Sequence, residues 1–164
     1  MAQVKINKAI GANNANNANE RSEHQNKIIN LTKSWIGTPY HHQESVKQVG
    51  CDCLGLVRGV YEELYQKKTA PFKPYTKDWA EETKQETLIE AAGDHLKSVE
   101  VSERKPGDVL IFRFRKWMIA KHTAIQVSKD TMIHAIEGAK VEEVHLNNWW
   151  QRHLAAVFRF PENI

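Results

Sequence analysis

Cys53, His122 and His134 are the side chains in this sequence with the chemistry of a nucleophile and its supporting bases. Asp52 is a residue type that favours a helix N-cap, and Leu54, Val57, Val60, Tyr61 and Leu64 recur behind it at helical spacing. Cys53 therefore falls in the first turn of a helix, where unpaired backbone N–H groups and the positive dipole end favour an anion. A free cysteine has a pKa of about 8.5, and such surroundings bring it down to roughly 3.5 to 7.5, so the sequence predicts a site that favours thiolate. His122 opens one run of strand-forming residues, 122–128, and His134 lies in the next, 132–136. Neighbouring strands can pair such residues. One His then takes the thiol proton as general base and later protonates the leaving amine, while the second fixes its tautomer and orientation by a hydrogen bond.

The elements that must position these groups fall into two blocks. Residues 1–23 are polar, contain repeated Asn-Asn-Ala and show no periodicity that could bury a face, which predicts a disordered leader ahead of one domain over 24–164. A helix is expected over 24–36, with Ile28, Ile29, Leu31, Trp35 and Ile36 on one face and Gly37 and Pro39 ending it. Gly37-Thr38-Pro39-Tyr40 makes a turn, and 41–50 reads as loop. The Cys53 helix should run to about Lys67, with Pro71 and Pro74 preventing continuation. A surface helix is expected over 78–92, capped by Asp78, with Trp79, Leu88 and Ile89 inward. Beyond Gly93 the pattern changes to strands. Pro106-Gly107-Asp108 is a turn into 109–114, and 122–128, 132–136, 141–146 and 155–160 follow, with a short helix over 147–153. This order predicts an α+β domain: helices packed on a small antiparallel sheet of about five strands.

Composition excludes several classes. The 164 residues suit one domain with a core of its own, and 41% hydrophobic with 26% charged residues is ordinary for a globular protein. A formal charge of +3 is too small and dispersed for nucleic acid, though compatible with an anionic polymer. No apolar run approaches the roughly 18 residues of a membrane span, and the polar start lacks a secretory signal, so synthesis in the cytoplasm is expected. Cys51 and Cys53, one residue apart, would strain a disulfide and read as free thiols, Cys51 as a structural one.

Five motifs in this order resemble the NlpC-type cysteine peptidases, the papain-like branch that cuts bacterial cell-wall peptides. They are Gly37-Thr38-Pro39-Tyr40, Asp52-Cys53-Leu54-Gly55-Leu56-Val57, Pro106-Gly107-Asp108-Val109-Leu110-Ile111-Phe112, His122-Thr123-Ala124-Ile125 and Met132-Ile133-His134-Ala135. The resemblance covers about residues 25–160. It implies a papain-like fold, Cys53 as nucleophile, His122 as base, His134 as third polar residue and Tyr40 lining the site, with no cofactor or metal. It also implies hydrolysis of an amide in peptidoglycan stem peptides, at the γ-D-glutamyl to diamino acid bond. Asp52 corresponds to a residue that helps hold a substrate amine, together with a serine after the cysteine. Here that position is Leu54, which points to stem peptides still attached to glycan as substrate. The polar start and the Gly50-Cys51-Asp52-Cys53 form are similar to phage-encoded members, which implies tail or gene-transfer-particle proteins as partners and action at the wall as part of a phage-like particle.

Two other readings use the same residues: a zinc site from Cys51, Cys53 and two histidines, against which the Cys-x-Cys spacing argues, and a structural particle component with a vestigial site. Trp149 and Trp150 read as packing residues or as a carbohydrate or protein contact. His41 and His42 read as solvated loop residues, and His95, His145 and His153 as hydrogen-bonded ones.

Overall fold

The computed structural model of the chain describes residues 23–70 and 85–164. The leader, apart from Glu23, and Pro71, Pro74, Asp78 and Trp79 lie outside the described residues. Helix α1 covers residues 23–33 and already includes Glu23. The hairpin β1 (Ser45–Val46) and β2 (Gly50–Cys51) leads into helix α2 (Cys53–Tyr65). Helix α3 (Thr87–Gly93) and strand β3 (Lys97–Val99) precede β4 (Val109–Phe112), β5 (His122–Gln126), β6 (Thr131–His134) and β7 (Glu142–His145). Helix α4 (Asn148–His153) and strand β8 (Leu154–Arg159) complete the domain.

The larger sheet has six strands in the order β3-β8-β4-β5-β6-β7, every neighbouring pair antiparallel. The expected α+β class holds, and β4 to β7 form a meander. Three expectations need correction. Residues 41–50 are not all loop, because Ser45 pairs with Cys51 and Val46 with Gly50. The Cys53 helix ends before Lys67 because Gln66 takes a left-handed conformation, φ 51°, and donates its N–H to the Glu62 carbonyl. Residues 85–86 of the helix expected over 78–92 are not helical and α3 begins at Thr87, since Glu86 leaves helical geometry, while the expected start at Asp78 lies outside the described residues.

Strand alternation divides the apolar residues between the two faces of the sheet. Val109, Ile111, Ile125, Ile133 and Phe158 pack with Leu56, Val57, Val60 and Leu64 of α2. Leu110, Phe112, Ala124, Met132 and Val157 form a second cluster on the opposite face, covered by Trp150 and Leu154. Helix α2 approaches the turn after α1 closely at Gly59, where an added Cβ would lie 2.1 Å from the Trp35 ring. The helix carrying Cys53 is thus fixed between Trp35 and the sheet.

Candidate active site

The site is built around the start of α2. Asp52 is extended at φ −96° and ψ −174°, and its Oδ1 accepts the Gly55 N–H at 2.8 Å, as the N-cap reading predicts. Its Oδ2 accepts the Gln43 N–H at 2.8 Å and lies 3.7 Å from His42 Nδ1. Asp52 is buried, and both its oxygens tie the 41–44 segment to the helix end. Gly55 allows this approach: an added Cβ would lie 1.9 Å from the Glu44 carbonyl oxygen. Asp52 thereby positions Cys53.

Cys53 is held to the sheet through its backbone and its thiol. Its carbonyl accepts from Thr123 Oγ1 at 2.7 Å, and its Sγ–H points to the Lys121 carbonyl at 4.0 Å. Burial, followed by the neighbouring Asp52 carboxylate, pushes the thiol up to about 11, against hydrogen bonds from Thr123 and the Leu54 backbone. The expected lowering of the pKa is therefore reversed. Desolvation penalises the thiolate, and the same carboxylate that caps the helix adds a like charge beside it. At rest Cys53 is a neutral thiol.

His122 and His134 meet as the strand spacing predicts, with His122 Nε2 and His134 Nδ1 3.0 Å apart. Both are buried. Burial, with His134 as the second cause, pushes His122 down to about 3; burial also lowers His134, with Glu142 opposing. Two neutral imidazoles form this contact by one ring donating and the other accepting. The His122 ring lies beside Phe112 and Trp150 of the second cluster, whereas Thr123 faces α2. Among the described residues, Sγ of Cys53 has the Lys121 carbonyl as its hydrogen-bond acceptor, and no hydrogen bond joins it to His122. The histidines are brought together; the thiol stands at the peptide just before His122.

Tyr40 is half-buried beside the same helix end, in a parallel bridge with Cys51. Burial, then Asp52, Cys53 and Glu137, push its hydroxyl up to about 12. Cys51 is fully buried in the core, as expected of a structural thiol. His42 is not simply solvated, since it faces Asp52. Among the described residues no group of three or more His, Cys, Asp or Glu comes together as a metal site.

A sequence profile of the NlpC/P60 family matches residues 37–159. The chain belongs to the NlpC/P60 family. It is 26% identical over 162 residues to the murein DD-endopeptidase MepH of Escherichia coli K12, covering 95% of this chain and 54% of MepH. Its fold resembles the NlpC/p60 domain of the peptidoglycan hydrolase SagA, with a TM-score of 0.60 at 23% identity over 83% of this chain and 98% of that domain. It also resembles RipD of Mycobacterium tuberculosis, described as a non-catalytic NlpC/p60 protein adapted to peptidoglycan binding, with a TM-score of 0.53 at 13% identity over 83% of this chain and 96% of RipD.

Within this NlpC/P60 domain several site residues were not legible beforehand. Thr123 and Lys121 contact Cys53 only because β5 packs against α2; their one signal is adjacency to His122. Trp150 stands 5.5 Å from His122 and 5.4 Å from His134, ring centre to ring centre, which gives the tryptophan a place beside the histidine pair. Leu54, in place of the serine, packs against the apolar core and lines a cavity of about 240 Å³ with Val57, Leu88 and Thr123.

Proposed function

We propose that this protein is a thiol endopeptidase that hydrolyses an amide in peptidoglycan stem peptides. The observation that carries the reading is the His122–His134 contact at 3.0 Å on strands packed against the helix that begins at Cys53. His134 holds Nε2 of His122, which leaves Nδ1 as the nitrogen to receive the thiol proton. Cys53 exchanges the Lys121 carbonyl for that nitrogen, and Sγ attacks the substrate carbonyl as the proton moves to His122. Collapse of the tetrahedral adduct breaks the C–N bond. His122 gives its proton to the leaving amine, and water activated by the same ring hydrolyses the thioester. Backbone N–H groups at the start of α2 are donors for the oxyanion.

Two bonds fit this chemistry. The motif resemblance favours γ-D-glutamyl to diamino acid, whereas MepH carries the name of a DD-endopeptidase. The substrate is taken as peptide attached to glycan, since the hydroxyl beside the thiol is replaced by Leu54. Delivery to the wall as part of a phage-like particle is a further element of the proposal, supported by the Gly50-Cys51-Asp52-Cys53 form. The second reading is a binding domain of the RipD kind, favoured by the lack of a hydrogen bond between Cys53 and His122. Purified sacculi incubated with reduced, chelator-treated protein separate the two. Turbidity loss that is abolished by alkylation of Cys53 supports the peptidase; binding without any loss of turbidity overturns it.

A further inference from the structure

An aromatic surface continues outward from the two histidines. Trp150 packs on both His rings and meets Trp149 edge-on, with ring centres 4.9 Å apart. Trp149 stacks on His153 at 4.0 Å and 18°. A second route leads from His122 to Phe114 at 5.8 Å and from Phe114 to Trp149 at 6.1 Å. Along both routes the rings pass from buried to open: Phe114 is 39% and Trp149 43% exposed, although neither is needed to close the core. Exposed aromatic side chains that adjoin a reactive centre mark a contact surface more often than scattered single residues do. Arg115, Lys116 and Arg152 are exposed in the same two segments, the 113–121 loop and α4.

We propose that Phe114 and Trp149 form a subsite for the sugar backbone of peptidoglycan, holding the glycan from which the scissile stem peptide hangs. The inference rests on the peptidase reading above and adds the part of the substrate that lies outside the reacting amide. Three observations point to sugar as the occupant. Pyranose rings present flat C–H faces that stack on aromatic rings, while their hydroxyl edges stay in water, which suits half-exposed rings. The spacing fits, because two extended residues and the lactyl group that joins them to the sugar span roughly 10 Å, at about 3.5 Å per unit, comparable with the ring-to-ring steps of 5.5 and 4.9 Å from His122 through Trp150 to Trp149. Finally, a peptide with a free N-terminal ammonium needs an open carboxylate beside the thiol. Asp52 is 3% exposed, with both oxygens in hydrogen bonds. The neighbouring cations suit the carboxylates of stem peptides.

Binding is read without cleavage by titrating the Cys53→Ala protein with peptide-free glycan strands and following tryptophan fluorescence. Saturable quenching is expected. Trp149→Ala and, on a separate element, Phe114→Ala should each weaken binding about tenfold, and Trp149→Phe should retain it. In the Cys53-containing protein, the ratio of kcat/KM for a disaccharide-peptide to that for the free peptide should fall about tenfold with Trp149→Ala. A structural role would lower both substrates together and leave the ratio unchanged. Absence of quenching, quenching indifferent to both variants, or concentration-dependent dimerisation abolished by Trp149→Ala would each overturn the glycan subsite. Glycan binding that persists when sacculi are not cleaved would instead sink the peptidase reading and leave the subsite standing.

Discussion

Alkylation of Cys53 tests the resting state of its thiol. With its pKa pushed up to about 11, the thiolate fraction at pH 7 is on the order of one in ten thousand, roughly 300-fold below that of a free thiol at 8.5. A more basic thiolate is also a better nucleophile. A Brønsted slope of about 0.4 to 0.5 returns roughly tenfold, so iodoacetamide should react with Cys53 about 30-fold more slowly than with glutathione at pH 7. The rate should keep rising through pH 10. Cys51 is fully buried and serves as an internal control in peptide mass spectrometry. Asp52→Asn removes the second cause of the raised pKa while keeping an oxygen for the Gly55 N–H, so it should speed alkylation at pH 7. The amide then meets the Gln43 N–H, at a stability cost of about 1 to 3 kcal/mol. A wild-type rate above that of glutathione at pH 7, with a midpoint below 8, would refute the argument. It would mean that the helix terminus and imidazole outweigh burial and Asp52.

Other perturbations follow from the same contacts. His122 is neutral and buried with its pKa pushed to about 3, so the unfolded chain binds more protons below pH 6.5. Stability should therefore fall on acidification, by about 3 kcal/mol at pH 4.5 from this group alone. Urea unfolding measured between pH 7 and 4.5 should show this, and His122→Asn should flatten the slope; an unchanged slope would contradict it. Thr123→Val removes the 2.7 Å bond to the Cys53 carbonyl and should cost about 1 kcal/mol in thermal unfolding, with slower turnover. Gly55→Ala places a methyl 1.9 Å from the Glu44 carbonyl and should cost about 3 kcal/mol or more, measured by denaturant midpoint. Wild-type stability in that variant would show that the 41–44 segment yields freely.

Much of this arrangement was legible because it depends on local chemistry. Asp52 announced a helix start, Pro106-Gly107-Asp108 announced β4, and the 12-residue offset of His122 and His134 across a short turn brought their rings together. Features whose deciding group comes from elsewhere in the chain leave no such local signal. The Cys53 pKa was expected to fall because the helix N-terminus is visible in sequence, whereas burial under β5 is not. Strand β3 has three residues, two of them exposed, and carries no alternation; its pairing with β8 defines it. The β1–β2 hairpin has two residues a side and is held by Asp52, Thr38 and Pro39 contacts. Trp149 and Trp150 looked alike in sequence. Only the sheet distinguishes them, covering one and leaving the other in the open.

Mass spectrometry of muropeptides released from purified sacculi by the reduced, chelator-treated protein, beside Cys53→Ala, decides whether Cys53 is the nucleophile of an endopeptidase. New fragments cut at a single stem-peptide amide, with intact disaccharide still attached to one product, are expected from the wild type and none from the variant. The masses also decide between the γ-D-glutamyl and the DD bond. Equal release by the wild type and Cys53→Ala, or none by either, would contradict a Cys53 endopeptidase.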